Sequence, residues 1–285
     1  MDAGPLRDLL TALAGVFTGA LSGAFGVGGA VISTPAIRAL GVPASLAIGT
    51  TLPSILPSAA AGALRYRREG LIDRQAVLLT VPIGLAASVG GAVLSEVVPG
   101  EGRLLMLLTA ALLGVTSVRM ARSSPVAVRT DTSGAGGGQR AMAPVPAETG
   151  DPAPEAPNHG RGPALAFAAV GASAGLLSGL LGVGGGIVMV PGFTQVAGLS
   201  IKSAIATSLV CVAIFAIPGT ITHAVLGNID WRAAAFLTLT VVPGSRLGAA
   251  ATVRTSEATL RRAVAGFLGV IAVLYGASEL AGLLG

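Results

Sequence analysis

Two short glycine runs hold most of the chemistry that can be read from this chain: Gly26, Gly28 and Gly29 in GVGGA, and Gly182, Gly184, Gly185 and Gly186 in GVGGG. Each run ends where an apolar segment resumes. Glycine has no side chain to cover its backbone, so the N–H groups there stay open to a ligand, and a helix starting at that point adds the positive end of its dipole. Together these make a site for an anion. Hydroxyls follow at matching places, Thr50 and Thr51 after the first run and Thr207 and Ser208 after the second. A hydroxyl can donate to a sulfonyl or carboxylate oxygen without the cost of desolvating a charge; it can equally bond back to the carbonyl one turn earlier. No carboxylate lies in either glycine block or in the segments bearing these hydroxyls. A cation or proton pathway in an apolar chain ordinarily shows one, so these residues favour an anionic ligand.

Both runs sit inside a longer block that occurs twice. GVFTGALSGAFGVGGAVISTP, from Gly15 to Pro35, is matched by GASAGLLSGLLGVGGGIVMVP, from Gly171 to Pro191. Gly15, Gly19, Ser22, Gly23, Gly26, Gly28, Gly29 and Pro35 return at Gly171, Gly175, Ser178, Gly179, Gly182, Gly184, Gly185 and Pro191 without a slip. After a shift of one position the match resumes, with GVPASLAIGTTL facing GLSIKSAIATSL and GLID facing GNID. The chain is an internal duplication. In a membrane protein, glycine- and proline-broken segments at matching places in two halves mark a transport site. The glycines do not all share that role. Gly15, Gly19 and Gly23, like Gly171, Gly175 and Gly179, keep the spacing that lets two helices approach closely. Ser22 and Ser178 are expected to bond between helices. Gly26, Gly28 and Gly29 break a helix more than packing requires.

Composition identifies the solvent. Hydrophobic residues are 52% of the 285, charged residues 11%, and the mean hydropathy is +0.80. A large soluble protein needs far more charge to cover its surface. Residues 9–37, 163–201 and 203–229 contain no Asp, Glu, Lys or Arg, and each is long enough to cross a hydrocarbon core, which takes about 20 residues. Each half divides into about five apolar segments: 6–25, 28–40, 44–64, 75–95 and 103–120, then 163–181, 184–198, 203–223, 232–252 and 260–281. The chain reads as an all-α polytopic membrane protein with repeats at 1–120 and 163–285, joined by 121–162. That joint carries TDTSGAGGGQR and APVPAETGDPAPEAP, too polar and too rich in Pro and Gly to bury a core, and is expected to be a flexible linker. The N-terminal apolar run flows into the first glycine block and reads as a membrane segment rather than a secretory leader. The single cysteine, Cys211, allows no internal disulfide and reads as a small packing residue.

The second segment of each half is short. Residues 28–40 span about 20 Å as a helix, less than a membrane needs. Either a full helix is followed by a half-helix that turns back, or two short helices meet at depth. Both place irregular backbone where only protein or a wet cavity tolerates it. Loop charges set the orientation. Arg65, Arg67, Arg68 and Arg74 follow the third segment of the first half, and Glu96 and Glu101 follow the fourth. In the second half the third-segment loop offers only Asp230 and Arg232, whereas the next holds Arg254, Arg261 and Arg262. Lys and Arg gather on the cytoplasmic side, so matching loops face opposite sides. The halves are expected to be inverted repeats, with both termini outside, the linker inside, and the broken short helices meeting near the membrane midplane.

Arg246, in VVPGSRLG, lies well inside an apolar segment. It can reach along the helix to the inner surface near Arg254 or face a cavity as an anion contact; the first half has no counterpart, which favours the reach. Lys202, His223 and Trp231 fall at segment ends and read as interfacial.

The doubled GxxxGxxSGxxGVGG[AG]xxxxP, the T[TS]L after it and the PG at Pro243-Gly244 resemble the TauE/SafE family of sulfite and organosulfur-anion exporters of the bacterial inner membrane. The resemblance covers 9–120 and 163–281. It implies ion-coupled secondary transport of small sulfur-containing or related organic anions, without ATP hydrolysis and without a cofactor. Two departures stand out: Ala30 where the second copy has Gly186, and Pro82-Ile83-Gly84 in place of an adjacent Pro-Gly. The expected partners are a small anion, a coupling ion and the lipid bilayer, with no nucleic acid. A nucleotide-binding enzyme does not fit, because neither run has the third glycine of GxGxxG or a following GK[ST]. A passive anion channel is the alternative, since the same amides could line a pore.

Overall fold

A computed structural model of the chain describes residues 5–39, 42, 44–97, 111, 114–115, 117–122, 161–181 and 185–284. Nearly all of the expected linker, most of the 103–120 segment, and Gly182 and Gly184 lie outside the described residues. Among the described residues all regular structure is helical: α1 (Pro5–Phe25), α2 (Ala30–Ala39), α3 (Ala44–Arg68), α4 (Arg74–Val97), α5 (Arg161–Leu181), α6 (Gly186–Gln195), α7 (Ile201–Val225), α8 (Trp231–Arg254) and α9 (Glu257–Leu284). An apolar segment without water must satisfy its backbone internally, and a helix does so. Five helices are long and apolar enough to cross a membrane, at 7–25, 46–68, 74–91, 201–225 and 231–254. Leu78 and Leu239 lie on outward faces, each 72% exposed, as lipid contact allows. Matching polar caps open the fourth helix of each half. Asp73 accepts the Ala76 N–H at 2.9 Å, and Asp230 accepts the Ala233 N–H at 3.1 Å.

The halves exchange helices. The first helix of each packs on the fourth helix of the other, α1 on α8 and α5 on α4, while α3 joins α7 and α8 at the centre. Small residues set the closeness of the outer pairs. A Cβ at Gly19 would strike the Val241 backbone, one at Gly23 the Ser245 backbone, and one at Gly248 the Ala20 carbonyl. On the other side Gly171 abuts the Thr80 backbone and Gly175 that of Gly84. Gly15, Gly19, Gly23, Gly171 and Gly175 therefore do what their spacing predicts: they let backbones touch. Hydroxyls bridge the same seams, Ser245 Oγ donating to the Ser58 carbonyl at 2.6 Å and Thr252 Oγ1 to the Ala24 carbonyl at 3.0 Å.

Contact order along the helices fixes their directions. Gly15 lies beside Thr240 and Gly23 beside Ser245, so α1 and α8 run parallel. Thr80 meets Gly171 and Gly84 meets Gly175, so α4 and α5 do too. The third helices oppose each other: Gly62 of α3 lies by Leu209 of α7, and Leu52 lies by Gly219. The fifth segment of the first half, helical at 117–122, leans on α9, where Ser117 Oγ donates to the Ala265 carbonyl at 2.8 Å.

Candidate anion site at the helix breaks

The Gly26 amide makes the last bond of α1, to the Ser22 carbonyl at 2.8 Å. The chain then turns through Gly26 at φ +70° and Gly28 at φ +77°, conformations that cost an L-residue about 1–2 kcal/mol each. The Gly29 carbonyl accepts the amides of Ile32 at 3.1 Å and Ser33 at 3.0 Å, which opens α2. The Ala30 and Val31 amides precede the first intrahelical donor and so have no acceptor within the helix. Gly29, lacking a side chain, cannot cap them. In the second half Gly185, at φ +68°, stands at the start of α6 with no side-chain cap, and its carbonyl takes the Val188 and Met189 amides at 3.2 and 3.3 Å.

These breaks touch. A Cβ at Gly186 would strike the Val27 carbonyl, and Gly28 and Gly186 both rest on Val212 of α7. Gly26, Gly28, Gly29, Gly185 and Gly186 are all buried. The groups recorded against the first break, Ser208, Ile205, Val212 and Thr18, are neutral. Among the described residues no cluster of His, Cys, Asp or Glu gathers that could hold a metal.

The four hydroxyls singled out from the sequence have partners within the fold. Ser208 Oγ reaches the Gly26 carbonyl at 2.8 Å and the Ile205 carbonyl at 2.9 Å, tying the second half to the first break. Thr51 donates to the Ile48 carbonyl at 3.0 Å and lies 3.0 Å from Thr34 Oγ1. Thr50 and Thr207 are brought elsewhere. Thr50 Oγ1 accepts the Asp230 amide at 2.9 Å, and Thr207 Oγ1 accepts the Asp73 amide at 3.1 Å. Each therefore holds the capping residue of the other half's fourth helix. Arg7 pairs with Asp230 at 3.0 Å, and Arg232 pairs with Asp8, fastening α1 to α8 at the same end. Arg246 is not brought to the breaks: it is exposed, beside exposed Leu247, on the face opposite buried Gly244 and Ser245. Spacing did not single out Thr18 and Ser58. Their hydroxyls and that of Ser22 are buried without a hydrogen-bond partner among the described residues, so the interhelical bond expected of Ser22 is not made with any of them.

Residues 11–275 match the family model described as sulfite exporter TauE/SafE. The chain is 28% identical to the "Probable membrane transporter protein" of Haemophilus influenzae, over 93% of this chain and 96% of that one. It is 24% identical to the "Probable membrane transporter protein YunE" of Bacillus subtilis, over 82% and 83% of the respective chains. A similar protein from Xylella fastidiosa, also named as a probable membrane transporter, is 23% identical over 94% of each chain. No solved structure matches the chain significantly.

Proposed function

The chain belongs to the sulfite exporter TauE/SafE family, a family of multi-pass membrane proteins with probable transporters among its members, and on that premise we propose that it carries small anions across the bacterial inner membrane by secondary transport. The anions are sulfite, sulfonates or related organosulfur and organic anions. The observation that carries this reading is the meeting of two uncapped helix breaks in a neutral, buried centre. Backbone amides and helix dipoles at such a point attract an anion without a counter-charge.

The halves act as inverted repeats about that centre. The opposed α3 and α7 support this, as do the parallel pairs α1 with α8 and α4 with α5, because each pair joins first and fourth helices of different halves. Arg65, Arg67 and Arg68 end α3 and Arg254 ends α8. These helices run in the same sense, with Thr50 by Asp230 and Ser58 by Ser245, so their basic ends share one side, which the positive-inside tendency makes cytoplasmic. Burial of both breaks favours alternating access over an open pore. Exported anions would then pass as one half rocks against the other around a fixed site, and Arg246 reaches along α8 toward the cytoplasmic surface. Purified protein in liposomes tests the reading. Saturable uptake of labelled sulfite or sulfonate, accelerated by unlabelled anion on the far side, is expected. Ohmic current that scales with driving force and never saturates would replace the transporter by a channel.

A further inference from the structure

The two breaks are built alike in sequence, yet their surroundings differ. Apart from its chain neighbours, a Cβ at Gly29 would meet one heavy atom within 4 Å among the described residues, Thr18 Cγ2 at 3.0 Å. The matching Gly185 is closed in: a Cβ there would lie 2.5 Å from the Ala174 carbonyl oxygen and 3.4 Å from the Ala174 Cβ. In the register of the duplication Thr18 faces Ala174, and in the register of the third helices Ser58 faces Phe215. Thr18 and Ser58 thus stand where the second half has apolar residues, whereas Ser22 returns as Ser178; Phe215 packs its ring against Gly84.

The polar groups of α1 beside the first break are unused among the described residues. Thr18 is 0% exposed and Ser22 1%, one turn apart on one face of α1, and neither hydroxyl has a partner among the described residues. Both could have bonded back to the carbonyl one turn earlier, as Ser33 does to Gly29 and Thr240 to Phe236. They do not. A buried hydroxyl without a partner is unfavourable, so two such groups on α1, with Thr18 packed through its methyl against Gly29, call for an acceptor that the described residues do not supply.

We propose that a single anion binds at the first half's break, held by the Ala30 and Val31 amides at the start of α2 and by the hydroxyls of Thr18 and Ser22, with Gly186 of the second half packed behind it against the Val27 carbonyl. The proposal rests on the anion-transport reading and narrows it. Every donor is neutral, and among the described residues the nearest atoms that a Cβ at Gly26, Gly28 or Gly29 would meet belong to uncharged groups. Each further buried negative charge needs more donors to replace its water, so the few neutral donors named here suit one charge better than two. The ligand is a monoanionic oxyanion of the sulfonate type rather than a dianion such as sulfate.

Thermal stabilisation of the purified full chain by methanesulfonate and by sulfate tests this, with Thr18→Val, Ser22→Ala and, in the second half, Ser178→Ala. The unliganded Thr18→Val protein should be no less stable than wild type, because it loses an unsatisfied hydroxyl, which a structural hydroxyl would not permit. Its methanesulfonate affinity should fall about 10- to 100-fold, the range for a lost hydrogen bond to a charged group. Ser22→Ala should behave likewise, Ser178→Ala should bind normally, and Thr18→Ser should keep most of the affinity. Sulfate should bind at least about tenfold more weakly than methanesulfonate to wild type. Wild-type affinity in folded Thr18→Val, or in Ser22→Ala should the valine variant not fold, overturns the assignment. Equal affinity for sulfate overturns the monoanion selectivity. If the wild type neither binds nor transports any oxyanion, the anion reading itself falls. If it transports, and the two variants transport equally well, only the placement at Thr18 and Ser22 falls.

Discussion

Gly29→Ala separates the chemistry of the break from its folding. Three effects compete. Gly29 does not occupy the left-handed region, so alanine brings no backbone strain. Among the described residues the new methyl meets only Thr18 Cγ2, at 3.0 Å, the end of a rotatable side chain that must yield by a few tenths of an ångström. Alanine starts a helix less well than glycine, a loss of up to about 1 kcal/mol, whereas replacing glycine stiffens the unfolded chain and returns about 0.4–1 kcal/mol. The net change in stability is therefore close to zero. On binding the effects do not cancel. In the proposed site the methyl would crowd an anion at the α2 amides, and losing one N–H bond to an anion costs about 1.5–3 kcal/mol, about 10- to 150-fold in affinity. Gly28→Ala is a poorer probe. It forces φ +77° on alanine and sets a Cβ 2.7 Å from Val212 Cγ1, so about 1–2 kcal/mol of strain and about 1–3 kcal/mol of overpacking confound its phenotype. Counterflow in liposomes, normalised to folded protein by size-exclusion chromatography, should show Gly29→Ala as well folded and nearly inactive. Normal counterflow by the folded variant would refute the argument that the break binds substrate.

Three other perturbations should give different signatures. Gly19→Ala drives a methyl into the Val241 backbone and should destabilise by about 1–3 kcal/mol or more, seen as a lower melting temperature with residual transport per folded molecule. Thr207→Val leaves the Asp73 amide without its acceptor and should cost about 1–3 kcal/mol, with Thr50→Val costing a similar amount through Asp230; thermal melts in the same detergent check both. Arg246→Lys should bind anion as wild type does, because the side chain faces outward; a large affinity loss in titrations of folded protein would place Arg246 in the site.

Much of this architecture was legible in the sequence because it depends on local pattern. Apolar segments long enough to cross were visible as charge-free runs, and α2 and α6 were visible as short pieces behind triple glycines. Gly15, Gly19, Gly23, Gly171 and Gly175 announced close packing through spacing alone. What pattern could not supply was the use of each hydroxyl, which depends on the opposite half. Thr50 and Thr207 recur at matching places because each holds the capping aspartate of the other half's fourth helix. That recurrence, which reads in the sequence as a ligand signature, has a structural use as well. Ser22 misled in the other direction. It lies on the packing stripe, yet its hydroxyl meets nothing. The replacement of Thr18 by Ala174 was plain in the aligned repeats, and it gained meaning only when Thr18 proved to be buried and unpartnered beside Gly29.

The position of a bound anion tests the central claim most directly. Crystals or frozen particles of the full chain prepared with selenite, a selenium analogue of sulfite, would locate the oxyanion by anomalous scattering or by density. One selenium site is expected in front of the Ala30 and Val31 amides, within hydrogen-bonding reach of Thr18 Oγ1. Selenium bound instead beside Arg246, at Gly185, or along a continuous file through the bundle would contradict it.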